Sequence, residues 1–393
     1  MSIDIIQFGP TKKDKKLQKQ FVRFAWELYK DDPVWIPTFD MELAGNKLLG
    51  AVGLLTDVHP FHENAEVTYF MAKRNGKIVG RIAAIVNHAH NDFHNEKTGF
   101  FGFWETIEDK EVTKLLMDKV KEWLKQKGMK IMRGPANPTS NGSWGLLVEN
   151  FKDQPMVYTT YNYPYYEKLL LDYGFKKEMD LIGQMMPVDD STEDLKKRRE
   201  RLERLSEKVK KRYGIEIRAV NMKKGFDEDL KHLRYIYNHA WGKNWGFVPI
   251  NEHEFDDIAV GLKATLIPGL ASIAFVKGEP GGFIASLTDV NEFTKPKKNF
   301  WGDSDIMRLL RFVKNKKKQT KVRLALFGIT EKYRKIGLDS VLFVESFRAA
   351  QKAGIKECEI SWLLETNDLV IRHGEAMGAK EYKRWRLYDY EIK

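Results

Sequence analysis

A single cysteine, Cys358, stands in 393 residues, which excludes an intramolecular disulfide and any multi-cysteine metal site. That scarcity suits a reducing cytosol. No uninterrupted apolar stretch approaches the roughly 20 residues that span a bilayer. The opening MSIDIIQFGPTKKDKK has no apolar run ahead of a small-residue cleavage site, so the expectation is a cytoplasmic chain, soluble or peripheral to the inner membrane face. RNA-binding signatures, zinc-finger spacings and heptads joined to a basic region are all missing, which argues against a dedicated nucleic-acid reader. Histidines cluster at His59, His62, His88, His90 and His94, yet no carboxylate motif accompanies them, and the expectation is no functional metal.

What is present fits a globular enzyme: 42% hydrophobic residues and 12% aromatics are too rich for disorder. Lys and Arg total 66 against 55 Asp and Glu, and the net charge of +11 suits an anionic partner such as a phosphate-rich cofactor or an anionic membrane face. The length exceeds one comfortable hydrophobic core, so two domains are expected.

Two halves emerge around a charged connector at residues 189–214. Asp190 or Ser191 can cap a helix there, Gly214 can stop it, and Leu195, Leu202, Leu205 and Val209 make a narrow apolar stripe. The simplest reading is a solvated helix lightly packed between domains 1–188 and 215–393. Each half alternates strands and helices, as an α/β domain with a mixed sheet does. In the first half, Asn75-Gly76 between two apolar runs signals a hairpin. In the second, a basic insertion at about 294–319 mixes nine basic residues with Phe300, Trp301, Ile306, Leu309, Leu310 and Phe312. It reads as a solvated loop or, alternatively, as a lipid or acyl-chain contact.

The most informative segment is TEKYRKIGLDS, residues 330–340, between an apolar strand and a helix rich in Leu, Val and Phe. A pyrophosphate needs converging backbone N–H groups at a helix N-terminus. Gly337 removes a side chain where backbone must approach phosphate, and Arg334 and Lys335 add positive charge. The spacing Arg334-x-x-Gly337, followed by Leu338, resembles the phosphate loop of the GNAT (N-acetyltransferase) superfamily. Asp339 departs from it, because a small residue is usual there and a carboxylate opposes an anion.

The resemblance continues through Glu357–Trp362, then Glu365-Thr366-Asn367 and the helix opened by Asn367. Over nearly the whole length the chain is similar to tandem-domain bacterial GNAT proteins related to bacterial ceramide synthases. The carrying residues are Val79–Ala83, Gly99–Phe103, Arg133-Gly134-Pro135 with Asn137, Asp289-Val290-Asn291 and Ser361–Glu365. This implies two tandem GNAT-like domains and an N-acyltransferase using acetyl-CoA or a longer acyl-CoA, acting on a small-molecule or lipid amine. The implied cofactor-binding set is Phe327, Gly328, Ile329, Arg334, Lys335, Ile336, Gly337, Leu338 and Asn367, with a backbone N–H of Phe327, Gly328 or Ile329 meeting the oxyanion. The tyrosine acid common in the superfamily falls on Gly374 and cannot be carried over. In the first half the corresponding Thr106–Val112 holds three carboxylates and no glycine, so that copy reads as degenerate.

Acyl transfer to an amine needs a deprotonated amine, a stabilised oxyanion and a proton for the thiolate. Candidate bases are Glu365 and Asp289 at strand ends, with His239 read as a packed histidine. Two rivals remain: a tandem-GNAT aminoacyl transferase using aminoacyl-tRNA, and a non-catalytic acyl-CoA or lipid binder.

Overall fold

A computed structural model describes all residues except 1, 190, 191, 223, 224, 264, 265 and 298–303. Asp190, Ser191, Phe300 and Trp301 therefore lie outside the described residues. The chain divides into two compact units, Met1–Asp180 with Thr294–Arg311 and Arg384–Lys393, and Leu181–Phe293 with Phe312–Lys383. Among the described residues no helix is long and apolar enough to cross a membrane.

The first unit is built on the expected hairpin, Ala65–Arg74 with Lys77–Asn87. Asn75 (φ 53°) and Gly76 (φ 75°) supply the left-handed pair that such a two-residue turn demands. Ile3–Phe8 extends the sheet on one side and Thr98–Thr106 on the other, both antiparallel, and Ile131–Gly134 joins in parallel. Helix Lys110–Gln126 lays Val112, Leu116, Val120 and Leu124 across this sheet at helical spacing. His88–His94 forms a short helix.

The unit boundaries differ from a simple division at residues 188 and 215. Strand Lys176–Pro187 starts in the first unit and ends in the second, and strand Lys380–Glu391 does the reverse. Tyr388–Glu391 pair with Ile131–Gly134, and Arg133 grips Asp389 through Nε (2.8 Å) and Nη2 (2.7 Å). Register and matching faces select a strand's partner, so chain order is a poor guide to it.

The second unit carries the sheet order Leu181–Pro187, Glu357–Leu364, Lys321–Ile329, Glu279–Thr288, Leu266–Val276, Ile215–Ala219. Among the described residues of this order, only Lys321–Ile329 and Glu357–Leu364 run parallel. Helix Leu338–Lys352 buries Leu338, Val341, Leu342 and Phe347 against it. The charged connector is a helix as expected, but it is more than lightly packed. It forms helix Glu193–Tyr213, capped by Thr192, and packs as part of the second unit. Its inner face runs Leu195, Arg199, Leu202, Ser206, Val209, while Leu205 is exposed. Arg199 is buried over Phe347 (4.3 Å) and donates to the carbonyls of Met377, Pro187 and Asp189. A polar pair on the buried face made the stripe look too thin to pack.

Candidate functional site

Lys321–Ile329 and Glu357–Leu364 pair from Lys321↔Glu357 to Leu324↔Ile360, and there the ladder ends. Both strands are irregular at that point. Ala325 is skipped between Ser286↔Leu324 and Ala285↔Leu326, and Ser361 with Trp362 is skipped between Ile360↔Gln184 and Leu363↔Ile182. A bulge bends its strand and breaks pairing locally. In consequence Ala325, Leu326 and Phe327 are partly exposed in the middle of a central strand. The Phe327 carbonyl accepts from Trp241 Nε1 at 3.0 Å, outside the ladder, and the amide of the same residue points to the same edge of the strand.

The strand leads into a tight loop. Thr330 bonds the Gly281 carbonyl through both its amide (2.9 Å) and its hydroxyl (3.1 Å), and Glu331–Tyr333 makes one short turn. Arg334 donates to the carbonyls of Ile329 and Ala240, so its guanidinium ties the loop to the end of helix Phe226–Ala240. Gly337, at φ 83°, is the N-cap of helix Leu338–Lys352, and no side chain caps the first turn. A Cβ on Gly337 would lie 3.3 Å from Val209 and force a backbone region that L-residues avoid. Lys335 is exposed beside this turn, Ile336 is partly buried against the core, and Leu338 is buried, leaving its amide as the usable group. An uncapped helix start with a glycine before it can hold an anion on its amides.

Asp339 lies in the first turn of that helix, yet its Oδ2 sits 3.2 Å from His373 Nε2 on helix Asp368–Ala376. The His373 ring stacks on Phe343 with centroids 5.9 Å apart, and Phe343 meets Phe327 at 4.9 Å. The carboxylate is thus drawn toward a neighbouring helix and given a cationic partner when the imidazole is protonated. Asn367 is the N-cap of the His373 helix, with no side-chain capping bond. At Gly374 a Cβ would fall 2.1 Å from Gln184 Oε1, so the Gln184 amide fills the place a tyrosine there would need.

Glu365 directly follows Leu364 and lies at the same end of the parallel pair as Phe327, Gly328, Ile329 and the Arg334–Leu338 loop. Asp289 does not join them. It follows Thr288, which pairs with Val322 at the opposite end of the strand, about five residues and roughly 17 Å from Phe327. There its carbonyl accepts from Gln319 Nε2 (2.8 Å) and its Oδ1 from the Asn291 amide (3.3 Å), which makes it a turn-forming carboxylate. His239 is exposed rather than packed in the core, with its ring against Tyr235 (4.2 Å) and Nδ1 2.7 Å from the Tyr235 carbonyl. Gly328 is closely packed: a Cβ would meet Ala240 at 3.0 Å and Phe283 at 3.2 Å.

Several residues of this region were not singled out from sequence: Trp241, Gln184, His373 and a buried network around Glu359. Glu359 is fully buried and accepts from the Ser361 and Tyr382 hydroxyls, while Arg323 Nε reaches Ser361 at 2.8 Å and its guanidinium lies 4.5 Å over Trp362. The signal was available as charged residues at alternate positions of otherwise apolar strands, Arg323 in one and Glu359 with Ser361 in the other.

The first unit shows the same place filled by its own chain. Its pairs Gly80↔Thr106 and Arg81↔Glu105 correspond to Gly282↔Ile329 and Phe283↔Gly328. There Asp109 caps the helix by accepting from the amides of Glu111 (2.8 Å) and Val112 (3.2 Å), and Arg74 bonds the same carboxylate. Asn137 Oδ1 accepts from the Phe103 amide, and a Cβ on Gly102 would lie 1.7 Å from the Ala136 carbonyl. Glu105, held above the usual carboxylate range by burial, accepts from the Tyr29 and Tyr166 hydroxyls at 2.7 Å each. Thr98–Trp104 is buried throughout.

No family model matches the chain. It is 32% identical over 378 residues to Protein YghO of Escherichia coli (strain K12), covering 95% of this chain and 93% of that protein. It is 29% identical over 376 residues to a bacterial ceramide synthase of Caulobacter vibrioides, covering 94% of each. Among solved structures, a tandem GNAT protein from the clavulanic acid biosynthesis pathway superposes over 100% of this chain and 99% of its own, with a TM-score of 0.57 at 10% identity.

Proposed function

This chain belongs to the tandem-domain GNAT proteins that resemble bacterial ceramide synthases, the family of YghO, and we propose that its second unit is an acyl-CoA-dependent N-acyltransferase site. The observation behind this reading is the partly exposed strand Ala325–Phe327 opening onto the uncapped helix start at Gly337, against a first unit in which both features are filled. The residues suit a CoA pyrophosphate: the Gly337–Ser340 amides converge without a capping side chain, Lys335 adds charge, and Asp339 is engaged by His373.

In this reading the amide of Phe327 stabilises the oxyanion on the acyl carbon, since it lies on the edge where the ladder has ended. Glu365 accepts the amine proton at the end of the neighbouring strand. Gln184 leaves no space for a tyrosine acid at Gly374, so the departing thiolate takes its proton from another donor or from water. The similarity to the Caulobacter protein named a ceramide synthase supports a long-chain, sphingoid-type amine as acceptor and a long acyl chain on the donor.

Mass spectrometry of ligands carried through purification, followed by acylation assays on long-chain amines, tests the proposal. Acyl-CoA in the purified protein and an amide product support it. Acyl-CoA bound without acylation of any amine would favour the non-catalytic reading. Release of an aminoacyl product only from charged tRNA would favour the aminoacyl-transferase reading.

A further inference from the structure

Helix Asp305–Asn315 turns Arg308 and Asp305 inward together with Phe312. Arg308 is completely buried: Nε donates to the Thr294 carbonyl (2.9 Å), Nη2 to that of Pro37 and Nη1 to that of Thr38 (3.4 Å), and the guanidinium lies 4.4 Å over Phe39. One turn earlier, Asp305 accepts from the backbone amides of Asp40 (3.2 Å) and Met41 (2.8 Å). These anchors fix the rotation of the helix about its axis. With Arg308 and Phe312 turned in, the apolar stripe on the opposite side turns out.

That outer side carries Ile306 (52% exposed), Leu310 (56%) and Val313 (67%), with Met307 beside them. At about 100° per residue the first three fall within a stripe of roughly 60°. A water-facing helix surface ordinarily carries polar residues there. The border of the stripe is basic. Lys314 is exposed next to it, Lys317 and Lys318 are exposed just beyond the helix, and Ile306–Lys318 contains no acidic residue.

We propose that this helix face docks the protein onto an anionic lipid surface, with Ile306, Leu310 and Val313 entering the headgroup boundary and Lys314, Lys317 and Lys318 meeting lipid phosphates. A convex apolar stripe flanked by cations on one helix matches what an interfacial helix presents to a bilayer. The uniform sign of the border, which acidic lipid neutralises and a second copy of the same face would repel, selects lipid over self-association. This inference stands apart from the proposed acyl transfer, because none of its residues belongs to the Gly337 region.

The test is co-sedimentation of the full chain with vesicles of phosphatidylcholine alone and of an equimolar mixture with phosphatidylglycerol. The wild-type chain is expected to partition onto the mixed vesicles and to be released by high salt. The triple variant Ile306→Ser/Leu310→Ser/Val313→Ser, and separately Lys314→Glu/Lys317→Glu/Lys318→Glu, should each reduce partitioning at least about tenfold. Thermal melting checks that both variants remain folded, as exposed substitutions should. Wild-type protein that ignores the mixed vesicles, or variants that partition equally well, would overturn the proposal. So would a concentration-dependent dimer without lipid that the serine variant abolishes.

Discussion

His373 Nε2 lies 3.2 Å from Asp339 Oδ2, joining the first turn of the Leu338 helix to the helix that Asn367 opens. The one residue that departs from the expected phosphate loop is therefore held by a partner, with His373 stacked in turn on Phe343. A carboxylate beside an anion-binding helix start is tolerable when a neighbouring group draws it aside.

The first prediction follows from that pair. His373→Ala leaves Asp339 without its partner and should weaken CoA binding about tenfold, roughly 1.4 kcal/mol. Adding Asp339→Asn to the same chain should restore most of the loss, because the repelling charge is gone. Calorimetric titration of the single and double variants measures the coupling directly. Equal affinities in all of them would show that Asp339 is too far from the phosphates to matter.

Gly337 sits at φ 83° with Val209 behind it. Gly337→Ala should cost about 1–2 kcal/mol of stability in a denaturant titration, as expected for a side chain forced into the left-handed region. Gly337→Glu should in addition cut CoA affinity at least about tenfold. Because the first unit's corresponding helix is capped by Asp109, wild type should bind one CoA per chain, and the variant should show that single site weakened. Two CoA per chain in wild type, with one left at full affinity in the variant, would mean a second functional cradle.

The two candidate carboxylates should separate. Glu365→Gln is expected to slow acyl transfer about 10²–10⁴-fold with CoA affinity preserved, the signature of a lost base. Asp289→Asn should leave turnover within about threefold and instead cost about 1 kcal/mol of stability, since its bonds serve a turn. A large kinetic defect in Asp289→Asn alone would contradict the register described above.

Glu42, near Arg308 and Asp305, is pushed up to about 7 by burial, with Arg308 opposing the shift and Asp305 adding to it. A carboxyl whose folded value exceeds its unfolded one holds a proton that unfolding releases. Its contribution is present below the unfolded value near 4.5 and is lost as pH rises through about 7. Glu42→Gln should therefore raise the melting temperature more at about pH 8 than at about pH 5. A variant that melts like wild type at both values would remove Glu42 from the pH response.

Local features were legible from sequence because their causes are local. Asn75-Gly76 specifies a hairpin turn through φ alone, and an apolar strand followed by Arg334-x-x-Gly337 specifies a glycine-led helix start. Glu365 was placed correctly at a strand end beside that loop, since one strand's length fixes where its end lies. Asp289 was misplaced by the same reasoning, because two strand ends share an edge of the sheet only if the strands run the same way. The antiparallel pairing of Glu279–Thr288 with Lys321–Ile329 sends Asp289 to the far edge.

The sequence by itself determined that the chain has two compact units and that Gly337 opens a helix after an apolar strand, both consequences of length, composition and short-range backbone preference. Tertiary structure alone decided which strand completes which unit, that Arg199 and Ser206 face inward, that Gly328 is closely packed and that Gln184 occupies the tyrosine place. It also decided that Arg308 turns in and Ile306, Leu310 and Val313 turn out. Each of these depends on contacts between residues far apart in sequence, where register and the satisfaction of a few buried polar groups override the local pattern of apolar residues.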